Sequence, residues 1–261
     1  MKIAAALEYC GTHFHGWQRL KVDRSVQQCV EEALSKVADH PIKVVCAGRT
    51  DARVHARYQV IHFETDASRE PHSWVFGANA NLPTDVSLIW ANQVDEEFHA
   101  RFTAVARSYS YIILNRPARP GLYNPMLTWE SRPLDVTRML EAAGHLVGKH
   151  DFSSYRAQAC QSHSPAREIY SLEVERQDNY VIINVRANAF LYHMVRNIAG
   201  VLIAIGSGQK EVDWSREVLN ARNRSAAGTT APSEGLYLVN VEYPEHFKIP
   251  SADILNFSLP V

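Results

Sequence analysis

The sequence lacks the features that mark secreted and metal-binding proteins. Its four cysteines are scattered over 261 residues, no two of them form a C-x-x-C pair, and no signal peptide precedes them. Disulfide frameworks and zinc sites depend on suitably spaced cysteines, so we expect reduced thiols in a cytosolic protein. The zinc motif H-E-x-x-H is absent, and so is the pairing of H-x-E with P-C-x-x-C. These absences argue against a catalytic metal.

The sequence also lacks an apolar run long enough to cross a membrane. A long apolar stretch, residues 189–205, is interrupted by His193, Arg196 and Asn197. Its uninterrupted part is shorter than the roughly 20 apolar residues that span a bilayer as a helix. We interpret the stretch as a buried core helix, because 46% hydrophobic and 21% charged residues are typical of a globular protein.

An excess of charge of either sign is absent too. The formal net charge is −1, which gives no bulk electrostatic attraction to nucleic acid. The basic residues are nevertheless unequal in kind, since 20 of the 27 are arginine. Arginine binds phosphate through two parallel hydrogen bonds and stacks on bases, which lysine does poorly. We therefore expect a local basic cleft on a nearly neutral protein.

The hydrophobic periods predict two α/β halves. The first half, residues 1–104, has strand patterns at residues 2–8, 43–46, 58–65 and 86–93, and helix patterns at residues 26–38 and 72–81. This strand–helix–strand–strand–helix–strand order is that of a ferredoxin-like unit. The second half, residues 105–261, repeats the theme with strands at residues 107–114, 169–175, 180–186 and 236–243, and helices at residues 136–147, 189–205 and 216–223.

A charged loop joins two strand patterns of the first half. Arg49, Asp51 and Arg53 alternate within residues 47–56, so their side chains share one side if the segment is extended. A carboxylate between two guanidinium groups stays ionised, and the arginines can bind phosphates. The pattern suits an anionic nucleophile or base that acts on a phosphate-bearing substrate. A surface salt-bridge cluster is the alternative that spacing alone leaves open.

The residues of this loop and of seven other blocks match one family. Gly48-Arg49-Thr50-Asp51, followed by Val54-His55, resembles the catalytic loop of the tRNA pseudouridine synthase A family. Further blocks follow in the family's order over nearly the whole chain: YCGTHFHGWQ at residues 9–18, NANLP at 79–83, FHARF at 98–102, RSYSY at 107–111, DFSS at 151–154, FLYHMVRN at 190–197 and EGLYL at 234–238.

The resemblance implies a fold, a reaction and an RNA partner. The expected fold is α+β, with two pseudo-symmetric ferredoxin-like halves that form a large antiparallel-rich sheet flanked by helices. The expected reaction is the isomerisation of uridines 38 to 40 in the anticodon stem-loop of tRNA. It implies a homodimer in which both subunits hold one tRNA, and it requires no metal or cofactor.

The resemblance also assigns roles to the catalytic residues. Asp51 would be the catalytic carboxylate, as a nucleophile or as a base in a glycal-type route, and the sequence leaves both routes open. Arg49 would support the flipped base, although a simple ion pair with Asp51 is its alternative. Arg196 lies on an apolar helix face and needs an acidic partner, for which Asp51 is suitable.

Four further residues are predicted to bind the substrate. Tyr109 would pack against the target base, although Tyr111 shares its strand face and only the motif register separates the two. Leu236 would form an apolar wall beneath the uracil, and ordinary core packing is its alternative. Arg101 and Arg53 are expected to contact the RNA.

Three positions depart from the family pattern: Arg53 and Tyr58 replace glycines, and Cys10 replaces an aspartate. Arg53 is either a phosphate contact, which we favour, or a strained replacement for a glycine with positive φ. These departures leave a catalytically weakened RNA-binding protein as one alternative function. A metal-dependent nucleobase hydrolase that uses His13 and His15 is the other.

Overall fold

The first hundred residues form the strand and helix order that the sequence predicts. The computed structural model describes residues 1–252. The elements of this part are β1 (Lys2–Tyr9), α1 (Val26–Ala38), β2 (Val45–Cys46), β3 (His55–Glu64), α2 (Pro71–Asn79) and β4 (Val86–Val94). β1 is antiparallel to both β3 and β4, and β2 pairs with β3. The order β4-β1-β3-β2 is that of a ferredoxin-like unit.

Helix α1 is capped at its N-terminus by Ser25. Ser25 is extended, and its hydroxyl accepts a hydrogen bond from the Gln28 N–H at 3.4 Å. The Gln28 side chain donates to Glu32 instead of returning to Ser25, so the Ser25–Gln28 pair forms only half of a capping box. The helix ends where Asp39 takes a left-handed conformation, with φ of 59°.

The remaining elements follow in chain order. They are β5 (Ala106–Asn115), β6 (Thr128–Glu130), α3 (Val136–Gly144), β7 (Gly148–Asp151), β8 (Ala166–Gln177), β9 (Tyr180–Ala187), α4 (Met194–Gly206), α5 (Trp214–Ala221) and β10 (Leu236–Glu242). The strand order is β5-β9-β8-β7, with β6 parallel to β5 and the pairs β7/β8 and β8/β9 antiparallel. The predicted α+β class with antiparallel-rich sheet and flanking helices is confirmed.

The chain divides into two compact units whose boundaries fall inside strands. The first unit is Met1–Arg107 together with the described residues from Leu238 onward, and the second is Ser108–Tyr237. The sequence prediction assigned everything after residue 104 to the second half. The return of the chain to the first unit depends on which strands β5 and β10 join, and no local pattern encodes that choice.

Two short strands were not predicted, and one predicted helix starts late. β6 and β7 have three and four residues, too few for a hydrophobic period. Helix α4 was expected from residue 189 but begins at Met194, because His193 takes φ of 62° and ends the preceding loop. No helix among residues 1–252 is long and apolar enough to cross a membrane.

Substitution of Gly200 should reveal how closely α4 packs in the second unit. A Cβ added at Gly200 would lie 2.1 Å from the Thr229 carbonyl oxygen. We expect Gly200→Ala to lower the free energy of unfolding by about 1–3 kcal/mol, because one of the two backbones must move. Gly144→Ala at the end of α3 is the matched control, since its Cβ would meet nothing within 4 Å. The control should be neutral or up to about 1 kcal/mol more stable in urea unfolding. Equal effects of the two substitutions would contradict the prediction.

Candidate active site

The loop that carries Asp51 connects β2 to β3 and is anchored at its first residues. Ala47 donates its N–H to the Val60 carbonyl at 2.8 Å. The buried Gln59 then pairs with Gly48 as a strand would, because its amide donates to the Gly48 carbonyl at 2.6 Å and accepts from the Gly48 N–H at 3.4 Å. The Gln59 side chain thus binds the backbone of Gly48 in the way that a neighbouring strand would.

Thr50, which precedes Asp51, is held through both its backbone and its side chain. The Trp17 N–H donates to the Thr50 carbonyl at 3.0 Å, and the Thr50 hydroxyl shares a 2.8 Å hydrogen bond with the Tyr9 hydroxyl. Thr50, Tyr9 and Trp17 are all buried, whereas Asp51 is half-buried. Asp51 therefore projects from a fixed backbone with its side chain partly accessible.

Two glycines of the block at residues 9–18 let the chain pass directly against this loop. A Cβ on Gly11 would lie 2.1 Å from the Val54 carbonyl oxygen. A Cβ on Gly16, where φ is +98°, would lie 2.8 Å from the Thr50 carbonyl oxygen and 3.1 Å from the Asp51 carbonyl carbon. Any other residue at either position would push the Asp51 loop away. The block therefore supports the Asp51 loop, a role that sequence reasoning missed.

The loop turns sharply after Asp51, so the condition for a shared face, an extended segment through Arg53, is not met. The Val54 N–H donates to the Asp51 carbonyl at 3.2 Å, which closes a turn through Ala52 and Arg53. Arg53 has φ of 66° and donates its N–H to the Phe14 carbonyl at 3.1 Å. A turn with positive φ at its third residue favours glycine, which explains the glycine of the family pattern. The shared-face argument for Arg53 therefore fails, and its RNA contact stays a prediction.

The segment that carries Arg101 is also fixed by buried side chains of the first unit. Phe98 is fully buried against the ring of Tyr243, with centroids 5.0 Å apart. The Ala100 N–H donates to His62 Nδ1 at 3.1 Å, and the Tyr243 hydroxyl donates to the Ala100 carbonyl at 2.6 Å. Arg101 follows directly and is exposed.

Arg107 joins this segment to the Asp51 loop. Its buried guanidinium donates to the carbonyl oxygens of Ala47 at 3.1 Å, Arg101 at 2.6 Å and Ala104 at 3.0 Å. A buried charge is tolerated when several acceptors surround it. Sequence reasoning assigned Arg107 only to a family block. Its position two residues before Tyr109, at the start of an apolar strand, was the available signal.

The residues predicted to contact the base lie in the second unit. Tyr109 is buried and packs edge-to-face on Phe190, with ring centroids 5.0 Å apart. Tyr111 is completely buried, and its hydroxyl donates to the Pro232 carbonyl at 2.8 Å. Burial raises the pKa of Tyr111 above its usual value. Of the two tyrosines, Tyr111 is thus a core residue, which leaves Tyr109 for the proposed role.

The segment that connects to β10 is hydrogen-bonded to Arg196 through Ala231 and leads into Leu236. In the first turn of α4, Arg196 Nε donates to the Ala231 carbonyl at 2.9 Å, and the Ala231 N–H donates to the Arg196 carbonyl at 3.1 Å. The buried Asn197 accepts from the Thr230 hydroxyl at 2.7 Å. Leu236 is buried and donates its N–H to the Ser233 carbonyl. Reciprocal hydrogen bonds of this kind fix the direction of the Arg196 side chain.

The predicted site residues therefore form two sets. Arg49, Asp51, Arg53 and Arg101 belong to the first unit, where Arg107 joins their segments; Tyr109, Arg196 and Leu236 belong to the second. Within residues 1–252, no three histidine, cysteine or acidic side chains form a group that could hold a metal. His55 has a structural contact in the first unit. Its Nδ1 accepts a hydrogen bond from the N–H of Gly11, at 3.0 Å, and Gly11 is the glycine that packs against the Asp51 loop.

The departures at Tyr58 and Cys10 are accommodated within the first unit. The Tyr58 ring is buried, its hydroxyl donates to the Pro250 carbonyl and it accepts from Trp90 Nε1 at 3.1 Å. The Cys10 thiol lies 3.3 Å from the Thr12 hydroxyl. Tyr58 therefore fills a core position with its polar atom satisfied.

Comparisons with known proteins point to one family. A family profile described as tRNA pseudouridine synthase matches residues 5–103 and 142–244. The chain is 57% identical over 250 residues to tRNA pseudouridine synthase A of Nitrosococcus oceani, with 96% of each chain covered. It is 53% identical over 259 residues to the protein of that name from Coxiella burnetii, with 99% of each covered. For Vibrio atlanticus the identity is 51% over 260 residues, with 100% of this chain and 98% of the relative covered. The resemblance inferred from the motifs is confirmed.

Replacement of Arg53 by glycine should stabilise the protein. A non-glycine residue in the left-handed region costs about 1–2 kcal/mol, and glycine removes this cost while adding chain entropy to the unfolded state. We expect Arg53→Gly to raise the free energy of unfolding by up to about 1 kcal/mol. Ala52→Gly, at the other central position of the turn, should lower it by about 0.4–1 kcal/mol. Urea unfolding checks both, and a loss of stability in Arg53→Gly would contradict the strain assigned to this turn.

The stability of the protein should fall in mild acid through His62. Burial, together with the charges of His99 and Lys2, lowers the pKa of His62 from 6.5 to about 4. Between these pH values the unfolded chain binds the additional proton, so the melting temperature should drop as the pH falls from about 6.5 to about 4. His62→Asn keeps an acceptor for the Ala100 N–H but cannot titrate, and should flatten this dependence. His72→Asn, at an exposed position of α2, is the control and should leave the slope unchanged. Identical slopes in wild type and His62→Asn would exclude His62 as the cause.

Proposed function

Because the chain belongs to the tRNA pseudouridine synthase family, we propose that it converts uridines 38 to 40 of the tRNA anticodon stem-loop to pseudouridine, with Asp51 as the essential carboxylate. The observation that carries this proposal is the support of Asp51. Thr50 on one side of Asp51 and Arg53 on the other are hydrogen-bonded to the buried residues Trp17, Tyr9 and Phe14, while Asp51 itself is half-buried. A side chain on a fixed backbone suits a reaction that depends on positioning.

The reaction requires bond exchange at one nucleotide and no net redox change. The bond between the ribose carbon and the base nitrogen breaks, the base turns, and a carbon of the same base bonds to the ribose. The proton on that carbon leaves, and the freed nitrogen takes one up. Asp51 serves either as the nucleophile or as the base in this sequence, and in both roles it must be ionised at the start.

The arginines and apolar residues have separate tasks in the proposed reaction. Arg49 is exposed on the loop beside Asp51, so its guanidinium is available to replace the base that leaves the stack, at a cost of roughly a few kcal/mol. Arg196, whose direction is set by Ala231, would balance the charge of Asp51. Tyr109 would stack on the flipped base, and Leu236 would cover its other side.

The wider features of the family belong to the same proposal. A homodimer that holds tRNA with both subunits, in the cytoplasm, is the arrangement that the resemblance implies. The four cysteines are unpaired thiols, which accords with a reducing compartment. Sedimentation of the protein with and without tRNA tests the assembly.

Asp51→Asn should abolish pseudouridine formation while it leaves the affinity for tRNA within about tenfold, because phosphate contacts supply most of the binding. The measurement is release of tritium from tRNA labelled at uridine C5, with filter binding in parallel. Asp66→Asn, at an exposed aspartate of the first unit, is the control and should react like wild type.

Substantial turnover by Asp51→Asn would overturn the role of Asp51. A wild-type chain that binds tRNA but forms no pseudouridine would favour the alternative, a catalytically weakened RNA-binding protein.

A further inference from the structure

The segment from Phe98 to Thr103 presents an exposed aromatic ring on a rigid support. Phe102 is 75% exposed although its ring stacks on His99, with centroids 4.3 Å apart and planes 24° apart. The ring thus contacts the His99 imidazole and is otherwise largely accessible to solvent.

His99 fixes the directions of both Arg101 and Phe102. Its Nδ1 accepts from the Arg101 N–H at 3.2 Å and from the Phe102 N–H at 3.1 Å. The Thr103 hydroxyl donates to the His99 carbonyl at 2.7 Å and accepts from the His99 N–H at 3.2 Å. These contacts need a neutral imidazole, and burial lowers the pKa of His99 in the required direction. The Phe102 ring therefore belongs to the segment Phe98 to Thr103, which His62, Tyr243 and Arg107 hold in place by hydrogen bonds.

The positive charge of Arg101 lies over the Phe102 ring. The Arg101 guanidinium carbon is 5.6 Å from the centroid of Phe102, and the Arg101 side chain is exposed. A flat apolar ring next to a guanidinium matches a nucleotide, whose base stacks and whose phosphate pairs with arginine.

We infer that Phe102 is a stacking platform for an unpaired base of the bound RNA, with Arg101 on an adjacent phosphate. The inference rests on the proposed function, because it adds a contact outside the reacting base to the same RNA substrate. Stacking is tolerant of base identity, so this contact would supply affinity and register but little sequence preference.

The test compares variants of Phe102 in tRNA binding, measured by filter binding at several salt concentrations. We expect Phe102→Ala to weaken binding by about 5- to 150-fold, the loss that corresponds to one stacked base. Its salt dependence should stay that of wild type, because no charge is removed. Arg101→Ala should instead lower the slope of log K against log salt by about one.

Two further variants separate stacking from other effects. Phe102→Trp keeps a ring and should bind tRNA within about threefold of wild type, whereas Phe102→Leu keeps apolar bulk and should bind as weakly as Phe102→Ala. Phe76→Ala is the matched control, because Phe76 is 74% exposed on α2 of the same unit, and it should bind like wild type. Circular dichroism should show that each variant is folded.

The outcomes distinguish this inference from the proposed function. Wild-type affinity in Phe102→Ala or Phe102→Leu, with wild-type turnover intact, would overturn the platform and leave the proposed function standing. Weakened binding in Phe102→Ala, with a wild-type chain that makes no pseudouridine, would support the platform and overturn the proposed function. A change of subunit assembly in Phe102→Ala, seen by sedimentation without RNA, would instead assign the ring to contact with a second copy of the chain.

Discussion

The site of Asp51 depends on the direct approach of one backbone to another. Gly11 and Gly16 touch the loop at Val54 and at Thr50, with no space for a Cβ at either point. Because the two backbones lie this close, the Trp17 N–H can donate to the Thr50 carbonyl and the Phe14 carbonyl can accept from the Arg53 N–H. A loop held this way loses little further entropy when the substrate binds, and this is the condition for a carboxylate to act by position.

Buried polar side chains complete the same support where strands do not reach. Gln59 takes the place of a neighbouring strand for Gly48, Arg107 binds three carbonyl oxygens, and His62 with Tyr243 holds both backbone groups of Ala100. Each would be costly to bury alone, and each is stabilising because its donors or acceptors are matched. These residues contact no substrate in the proposed reaction, yet they determine where Asp51 and Arg101 lie.

In the second unit, a close approach of two backbones and buried hydrogen bonds also support Arg196. Gly200 lets α4 approach Thr229, and Ala231 then exchanges hydrogen bonds with Arg196. The Tyr111 hydroxyl donates a hydrogen bond to the Pro232 carbonyl, so the segment that leads to Leu236 is fixed as well. The predicted roles of Tyr109, Arg196 and Leu236 thus fall on side chains whose surroundings are well packed.

The sequence alone determined the family, the class of fold and most helix and strand positions, because hydrophobic periods and short motifs are local properties. From the same motifs it proposes Asp51 as the reactive carboxylate. It also marked Arg53 as the point where a glycine was replaced. The tertiary structure decided that the loop turns at Arg53, that Tyr111 rather than Tyr109 is the deeper core residue, and that the chain returns to the first unit after Tyr237. It also revealed the roles of Gly11, Gly16, Gln59 and Arg107. These features depend on contacts between residues far apart in the chain, and the packing that selects them leaves no period or spacing in the sequence.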